Sequence, residues 1–322
     1  MSLIFNKNAI DQKPFTSQYL PLTIILLEQW IMITISGPDT ISYLQGQLTC
    51  DIANLCKNQY SFAAHCNENG KIYSNICVFY HNNQVSFITR RSVYEHQLIA
   101  LKKYSIFSKI SINVNKDINL LGVAGVNSSL LLSSIFDKIP DMKNSIVQYH
   151  NTTILYFNRP VIRFLLITTN KLRDILLNQL SYKTIFNNSK QWLTLDIEAG
   201  YPIIDYAVMN KLTPYAVNLH KLGGICFTKG CYLGQEIIAR IKYRGMNKQQ
   251  LYFLSGKSKV IPLAGENLEI KIGSSWRNTG IVLTACMMHN KQLWVQAVLS
   301  KNVDKNSKIR IQKDINSLLK IC

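Results

Sequence analysis

The pattern of apolar and polar positions predicts mixed α and β structure over roughly the first 250 residues. Leu22 to Leu27 and Trp30 to Ile35 are rich in β-branched residues and predict two strands, joined by a tight turn at Glu28-Gln29. The turn residues at Gly37 to Asp39 end the second strand, and Asp39 can cap a helix that runs to about residue 48.

Alternating strands and helices continue along the chain as two successive α+β sets. The further predicted strands are Tyr60 to Cys66, Lys71 to Tyr80, Gln84 to Thr89, Lys109 to Val114, Leu120 to Ala124, Thr153 to Phe157 and Val161 to Thr168. The predicted helices are Arg91 to Tyr104, Ser128 to Asp137, Lys171 to Leu180 and Leu233 to Tyr243.

From Gln250 onward the pattern changes to short apolar strands separated by Gly, Asn and Lys, which predicts a small antiparallel barrel. These strands are Leu251 to Ser255, Leu268 to Ile272, Gly280 to Cys286, Leu293 to Leu299 and Ile309 to Gln312. The predicted fold class is therefore α+β, with two mixed α+β domains followed by a C-terminal antiparallel β-barrel. We place the domains at residues 1–116, 117–249 and 250–322.

Hydropathy and charge bear on where the protein resides and on which partners it binds. No apolar run approaches the ~18 residues of a membrane span, and the first 16 residues carry no secretion signal, so we expect a cytoplasmic protein without a membrane partner. Thirty-six basic residues against 18 acidic ones give a net charge of +18, which favours polyanionic partners. The abundance of Lys, Asn and Ile is also what A/T-rich codons produce, so charge alone leaves both explanations open.

The eight cysteines predict no metal site in this chain. No two cysteines have C-x-x-C spacing, and the six histidines do not cluster near them. A chain of this length can form a core without disulfides, so we interpret most of the thiols as small buried hydrophobic groups.

The segment that suggests chemistry is Lys229-Gly230-Cys231-Tyr232-Leu233-Gly234-Gln235-Glu236. Two glycines flank a cysteine shortly before a predicted helix, where the helix dipole and Lys229 favour a thiolate. Glu236 and Arg240 have the i,i+4 spacing of a helical ion pair. A glycine-rich turn with a buried, inert cysteine would explain the same residues. Standard catalytic signatures are absent elsewhere.

This octamer resembles the signature of the YgfZ folate-binding family, which is related to the aminomethyltransferase of the glycine cleavage system. The resemblance extends from about Pro21 to Leu254. Other similar segments, in the same order, are Gln45 to Gln47, Ala63 to Cys66, Gly70-Lys71, Leu101 to Tyr104, Ile197 to Pro202, Leu222 to Ile225 and Arg244-Gly245 with Lys248.

The resemblance implies a ring of three domains around a central cavity that binds tetrahydrofolate or a derivative of it. The first domain would be the folate-binding part, and the second would carry the octamer. The family's folate-contacting tryptophans fall on Trp30 and Trp192 here, and an indole offers a flat apolar face to a pterin. Cationic candidates for binding the glutamate tail are Arg90, Arg91, Lys102, Lys103 and Arg240.

The role that the resemblance implies is support of tRNA modification, through maintenance of iron–sulfur enzymes that thiomethylate tRNA bases. Cys231 is the candidate functional thiol. One thiol cannot hold a cluster, so the iron–sulfur enzymes are expected to be transient partners.

Two other functions remain open. One is a folate-dependent aminomethyltransferase, a one-carbon transfer enzyme, for which Asp51 and Asp205 are the nearby acidic residues. The other is a protein that binds tRNA directly, although the aromatic residues form no interleaved basic–aromatic pattern along the sequence. Whether the chain is an enzyme at all stays open.

Overall fold

The computed structural model of the chain describes residues 12–180 and 184–322. The strands there are β1 (Thr23–Leu26), β2 (Trp30–Ser36), β3 (Ser61–Cys66), β4 (Ile72–His81), β5 (Gln84–Arg90), β6 (Ser111–Asn113), β7 (Ile118–Ala124), β8 (Ile146–Tyr149), β9 (Thr152–Phe157), β10 (Arg163–Thr169), β11 (Ile185–Asn187), β12 (Gln249–Lys257), β13 (Asn267–Ile272), β14 (Ser275–Met287), β15 (Leu293–Ser300), β16 (Ile309–Ile311) and β17 (Asp314–Ile321). The α-helices there are α1 (Thr40–Gln47), α2 (Tyr94–Tyr104), α3 (Ser128–Ser133), α4 (Asn170–Leu180), α5 (Ser189–Ala199) and α6 (Gln235–Tyr243).

Two sheets with their helices and a closed barrel form the fold, which confirms the predicted α+β fold class. The first sheet has the order β3-β4-β5-β2-β6, the second β11-β1-β7-β10-β9-β8, and the barrel β12-β15-β14-β13-β16-β17. Among the described residues, the strand pairs are antiparallel except β1 with β11. No helix in the described ranges is long and apolar enough to cross a bilayer.

The chain changes sheets at the turn after β1. The turn is closed by the Trp30 N–H, which donates to the Leu27 carbonyl at 3.1 Å, but β1 and β2 do not pair with each other. Strand β1 instead lies between β7 and β11, with Ile25 opposite Gly122. Ile24 and Ile25 point to opposite faces and are both buried, as expected for an interior strand. Trp30 therefore begins its strand where the two sheets meet.

Helix α1 begins where the sequence predicts, but it is not capped by the predicted side chain. Asp39 occupies the N-cap position and makes no side-chain capping hydrogen bond. Its carboxylate accepts instead from the Lys109 backbone N–H at 2.7 Å. The aspartate thus ties the start of α1 to the segment before β6.

The sequence pattern missed α5, which is the helix most important for the site. Its first nine residues are almost all buried, including Gln191 and Thr194, so no exposed polar face reveals the helical period. The Asn188 side chain accepts from the Lys190 N–H at 2.9 Å, and Gly200 ends the helix with φ 73°. Asn188 and Gly200 therefore define where the helix begins and ends.

The barrel is attached to the segment that follows α5. The Gln296 side chain on β15 accepts from the Ile203 N–H at 2.9 Å and donates to the Tyr201 carbonyl at 2.7 Å. Because Gln296 is 1% exposed, both bonds are shielded from water. This connection holds the barrel against the two sheets around the buried tryptophans.

Candidate functional site

Trp30 and Trp192 line the same small cavity between the two sheets. Trp30 is the first residue of β2 and Trp192 lies in α5, and they are 7% and 4% exposed. The cavity has a volume of about 60 Å³. Its other polar lining residues are Asn75, Thr89, Arg90, Asp196 and Tyr201.

A guanidinium group covers a face of each tryptophan. The Arg90 Cζ lies 4.4 Å from the centroid of Trp30, and the Arg163 Cζ lies 4.3 Å from that of Trp192. At these distances both pairs are cation–π contacts. In this conformation the chain's own arginines therefore cover one face of each tryptophan that we expect to contact a folate.

Arg163 also forms a buried ion pair with Asp196. The Arg163 Nη2 donates to the Asp196 Oδ1 at 2.6 Å, and the arginine side chain is completely buried. Burial raises the pKa of Asp196, and the positive charge of Arg163 opposes that rise. Neither residue was predicted from the sequence, although an acidic residue inside the mainly apolar run Trp192 to Ile197 was a usable signal.

Arg90 separates the tryptophan cavity from a larger outer cavity. It lines both, and the outer cavity has a volume of about 370 Å³. The Arg90 side chain donates two hydrogen bonds to the Asp205 carboxylate, at 2.9 and 3.1 Å. The outer cavity is also lined from α5, the barrel and the N-terminal segment, by residues that include Lys13, Ser189, Lys190, Ile261 and Cys286.

Several polar atoms around the tryptophan cavity are buried without a hydrogen-bond partner among the residues that the structure describes. They are Asn75 Oδ1, Thr89 Oγ1, Arg90 Nη1 and Arg163 Nη1. Buried polar groups usually have partners, because leaving one unpaired costs about 1–3 kcal/mol. A group of such atoms around one cavity is what a site for a polar, planar ligand requires.

A third cavity, of about 530 Å³, lies on another side of Trp30 from Trp192. Trp30 lines it but Trp192 does not, and its charged residues are Glu28, Arg91, Lys116, Arg173 and Asp174. Arg91 there donates to the Glu28 carbonyl at 2.7 Å. Because the small cavity is lined by both predicted tryptophans and the other two cavities described here are not, we take the small one as the candidate ligand site.

The remaining candidate residues are spread over the molecule. Lys102 and Lys103 lie in the last turn of α2 and do not line the cavities described above. Arg240 is exposed on α6 and pairs with Glu236 at 2.7 Å, which is the predicted i,i+4 pair. Asp51 is bonded to Gln45 and Asn54 outside the tryptophan cavity.

Lys229 fixes the octamer to the end of α1. Its ammonium group donates to the carbonyls of Gln45, Leu48 and Cys50 at 2.6–2.7 Å and lies 4.8 Å from the ring centroid of Tyr232. Burial lowers the pKa of Lys229 to about 8. This lysine therefore holds the loop in place rather than extending toward solvent.

Cys231 lies exposed in this loop, four residues before α6. Gly234 allows the chain to pass close to the turn after β3: it has φ 78°, and a Cβ there would lie 2.5 Å from the Asn67 carbonyl oxygen. Among the described residues around the tryptophan cavity, none belongs to the octamer. The structure therefore does not bring Cys231 together with Trp30 and Trp192.

Cys226 is a further thiol that was not predicted from the sequence. It lines a groove of about 390 Å³ together with Cys50 and Cys56. Burial alone would raise the pKa of Cys226, but hydrogen bonds from Thr228 and from the Lys229 N–H to its sulfur lower it. In contrast, burial raises the pKa of Cys50 to about 11. The sequence signal was the neighbouring Thr228, a residue that can bond the sulfur.

The overall fold is shared with a solved structure of low sequence identity. The aminomethyltransferase T of the glycine cleavage system from Bartonella henselae superposes with a TM-score of 0.71 over 94% of this chain and 85% of its own, at 12% sequence identity. At that identity the similarity establishes the fold alone.

Sequence relatives match over nearly the whole chain. The family description "YgfZ, beta-barrel domain" matches residues 247–314. The protein named tRNA-modifying protein YgfZ of Sodalis glossinidius is 48% identical, over 96% of this chain and 94% of its own. The proteins of that name from Serratia proteamaculans and Photorhabdus laumondii are 44% and 47% identical, over 96% and 94% of this chain and 94% and 92% of their own. This chain belongs to the YgfZ family.

Proposed function

We propose that this protein binds a reduced folate between its two sheets and supports tRNA modification through the exposed loop that carries Cys231. The observation that carries the folate part is the cavity shared by Trp30 and Trp192, with its unpaired buried polar atoms and its buried carboxylate. The printed names of the relatives support the tRNA part, since they call those proteins tRNA-modifying.

The chemistry of the lining fits the pterin half of a folate. A pterin is flat, and its pyrimidine edge carries an amino group and a ring N–H that point the same way. A carboxylate accepts from two such donors at once, and Asp196 is the carboxylate in this cavity. Asn75 Oδ1 and Thr89 Oγ1 are further acceptors, while Arg90 Nη1 is a donor for a carbonyl or ring nitrogen. When bound, the folate would supply the capacity to carry a one-carbon unit.

A folate fits beside the two tryptophans only if the Arg90 side chain moves. Cavities that bind small molecules usually have about 300–1,000 Å³, far more than the 60 Å³ beside the two tryptophans. Because Arg90 lines both this cavity and the outer one, moving its side chain away from Trp30 would join them. The indole face that Arg90 now covers would then be free for the ligand.

The outer cavity fits the other half of a folate. The ligand's aminobenzoyl group is apolar, and its glutamate tail is anionic. Leu193 and Ile261 supply apolar lining, while Lys13 and Lys190 supply positive charge. Of the cationic residues proposed from the sequence for the tail, Arg90 alone lines this cavity.

The thiol of Cys231 is the group through which the protein would act on other macromolecules. It is exposed and lies outside the folate cavity, so a partner enzyme can reach it without entering that cavity. We propose iron–sulfur enzymes that thiomethylate tRNA as these transient partners, in the cytoplasm. A single thiol suits a passing contact better than a resident cluster.

Replacing Cys231 by alanine is expected to lower tRNA thiomethylation by about tenfold or more without unfolding the protein, because it removes a reactive group from an exposed position. The measurement is mass spectrometry of tRNA nucleosides from a bacterium in which this chain replaces the resident YgfZ-family protein.

The matched control is Cys322→Ala, which removes another exposed thiol at the end of the barrel. Normal thiomethylation in the Cys231→Ala strain would exclude this thiol from the function. A comparable loss in the Cys322→Ala strain would show that the assay reports a general effect of thiol removal.

A further inference from the structure

A row of aromatic rings runs along the surface beside the Cys231 loop. His220 and Tyr215 are stacked, with ring centroids 4.6 Å apart and an interplanar angle of 22°. Tyr215 lies 6.4 Å from Phe227, which lies 6.1 Å from Tyr243. We call these four residues the aromatic row. They come from three separate segments, so no pattern along the sequence reveals the row.

The end of the row is open to solvent. Tyr243 is 72% exposed, a large value for an aromatic side chain in the last turn of a helix. His220 at the other end is also exposed, whereas Tyr215 and Phe227 are half-buried between them. The inner two rings thus anchor the outer two and leave flat surfaces available to a ligand.

Positive charge surrounds the row. The exposed Lys242 places its ammonium group 4.1 Å from the centroid of Phe227 and 5.1 Å from that of Tyr243. Residues 206–265 contain nine Lys and Arg residues but only one acidic residue, Glu236. The other exposed cations on or just after α6 are Arg240, Arg244 and Lys248.

Two further lysines lie near the histidine of the row. Burial lowers the pKa of His220, and the nearby ammonium groups of Lys221 and Lys301 lower it further. The Lys301 N–H also donates to the Lys248 carbonyl at 2.9 Å, which joins this end of the surface to the cations after α6. Positive charge therefore extends along the row to His220.

We propose that this surface binds single-stranded RNA, with bases stacked on the aromatic row and phosphates held by the surrounding cations. Flat aromatic side chains in a positively charged groove are the usual means of binding unpaired bases. An acidic protein surface would satisfy the charges but would leave the rings without a partner. RNA offers both a polyanionic backbone and flat rings, so it is the ligand that the surface fits.

This proposal rests on the proposed tRNA-related function and names the part of the tRNA that is recognised, an unpaired loop. Phe227 and Cys231 belong to the same loop before α6, and Cys231 is exposed. RNA on the aromatic row would therefore lie beside the thiol. The protein would present an unpaired tRNA loop and the thiol to a modifying enzyme on one surface.

The test is binding of the full chain to two fluorescein-labelled RNAs of equal length, measured by anisotropy at several salt concentrations. Each RNA has about 18 nucleotides, which is long enough to cover an aromatic groove. One is a hairpin with a wide unpaired loop, and the other is a hairpin whose stem is fully paired up to a short tetraloop. We expect the open loop to bind more tightly. Tyr243→Ala should weaken open-loop binding by about fivefold or more. Lys242→Gln should lower the salt dependence of log affinity by about one.

Two matched controls separate this surface from the protein's overall charge. Tyr19→Ala removes a tyrosine that is also 72% exposed, and Lys138→Gln removes an exposed lysine beyond α3. Both variants should bind the open loop as the unmodified chain does.

The proposal is overturned if the chain does not bind the open-loop RNA at low salt. It is equally overturned if the two RNAs bind alike and Tyr243→Ala changes neither affinity. The assay contains no folate, and Cys231→Ala should bind RNA normally. Failure of RNA binding is therefore distinguishable from failure of folate binding or of the thiol's role.

Discussion

Replacing Arg163 by leucine is expected to lower the free energy of unfolding by about 3–5 kcal/mol at pH 7. The substitution removes the partner of a buried carboxylate, since Arg163 is completely buried and bonds Asp196 at 2.6 Å. It also removes the cation from the face of Trp192. The measurement is urea unfolding followed by circular dichroism.

The loss of stability in Arg163→Leu should be larger at high pH than at low pH. Burial already raises the pKa of Asp196 above its value of 3.8 in the unfolded chain, with Arg163 opposing the rise. Without Arg163 the folded pKa rises further. The unfolded chain then releases the Asp196 proton more readily than the folded chain does. Stability therefore falls as the pH rises from about 4 through the folded pKa of Asp196. Arg163→Leu should therefore lose less stability at pH 5 than at pH 8.

Two comparison variants test the cause of that loss. Arg173→Leu breaks the largely exposed pair with Asp174 and should cost less than about 1 kcal/mol. Adding Asp196→Asn to Arg163→Leu should recover stability at pH 8, because it removes the unpaired charge. A loss of the same size at both pH values, with no recovery in the double variant, would show that packing of the arginine matters and the ion pair does not.

Replacing Asp196 by asparagine is expected to weaken binding of tetrahydrofolate by about 10- to 100-fold, the equivalent of one charged hydrogen bond. An amide presents one acceptor and one donor where the carboxylate presents two acceptors, so one donor of the pterin edge loses its partner. The change is nearly isosteric, and the new side chain can still accept from Arg163. The measurement is isothermal titration calorimetry under reducing, anaerobic conditions.

The matched control is Asp174→Asn, which alters a carboxylate in the cavity that Arg91 and Arg173 line. If the folate binds beside Trp192, this variant should bind as the unmodified chain does. A loss in Asp174→Asn with unchanged binding in Asp196→Asn would move the folate to the cavity that Asp174 lines.

The sequence predicted those strands that form short apolar runs bounded by turn residues. Five of the six barrel strands and the three strands from residue 60 to 90 are of this kind, and the structure has them within about five residues of the predicted bounds. The more polar barrel strand β17 was missed. Helix α5 was missed because burial on all sides removes the contrast on which the prediction depends. The pairing of β1 with β7 and β11 was missed because strand partners distant in sequence leave no local signal.

Individual residues of the candidate site could be predicted, but the contacts between them could not. Resemblance pointed to Trp30 and Trp192, and the structure places both at one cavity. The arginines that cover them come from the ends of β5 and β10, and nothing in the local sequence links Arg90 to Trp30 or Arg163 to Trp192. Likewise, the aromatic row is formed by segments that only the fold brings together.

The most direct test of the central claim is quenching of tryptophan fluorescence by tetrahydrofolate in two complementary variants. The sequence contains four tryptophans, so Trp276→Phe with Trp294→Phe leaves only Trp30 and Trp192, and Trp30→Phe with Trp192→Phe leaves only the barrel pair. Folate bound between the sheets should quench the first variant with a saturable curve and leave the second with only the linear loss caused by absorbance. Saturable quenching in the second variant, with none in the first, would place the folate at the barrel instead of between the sheets.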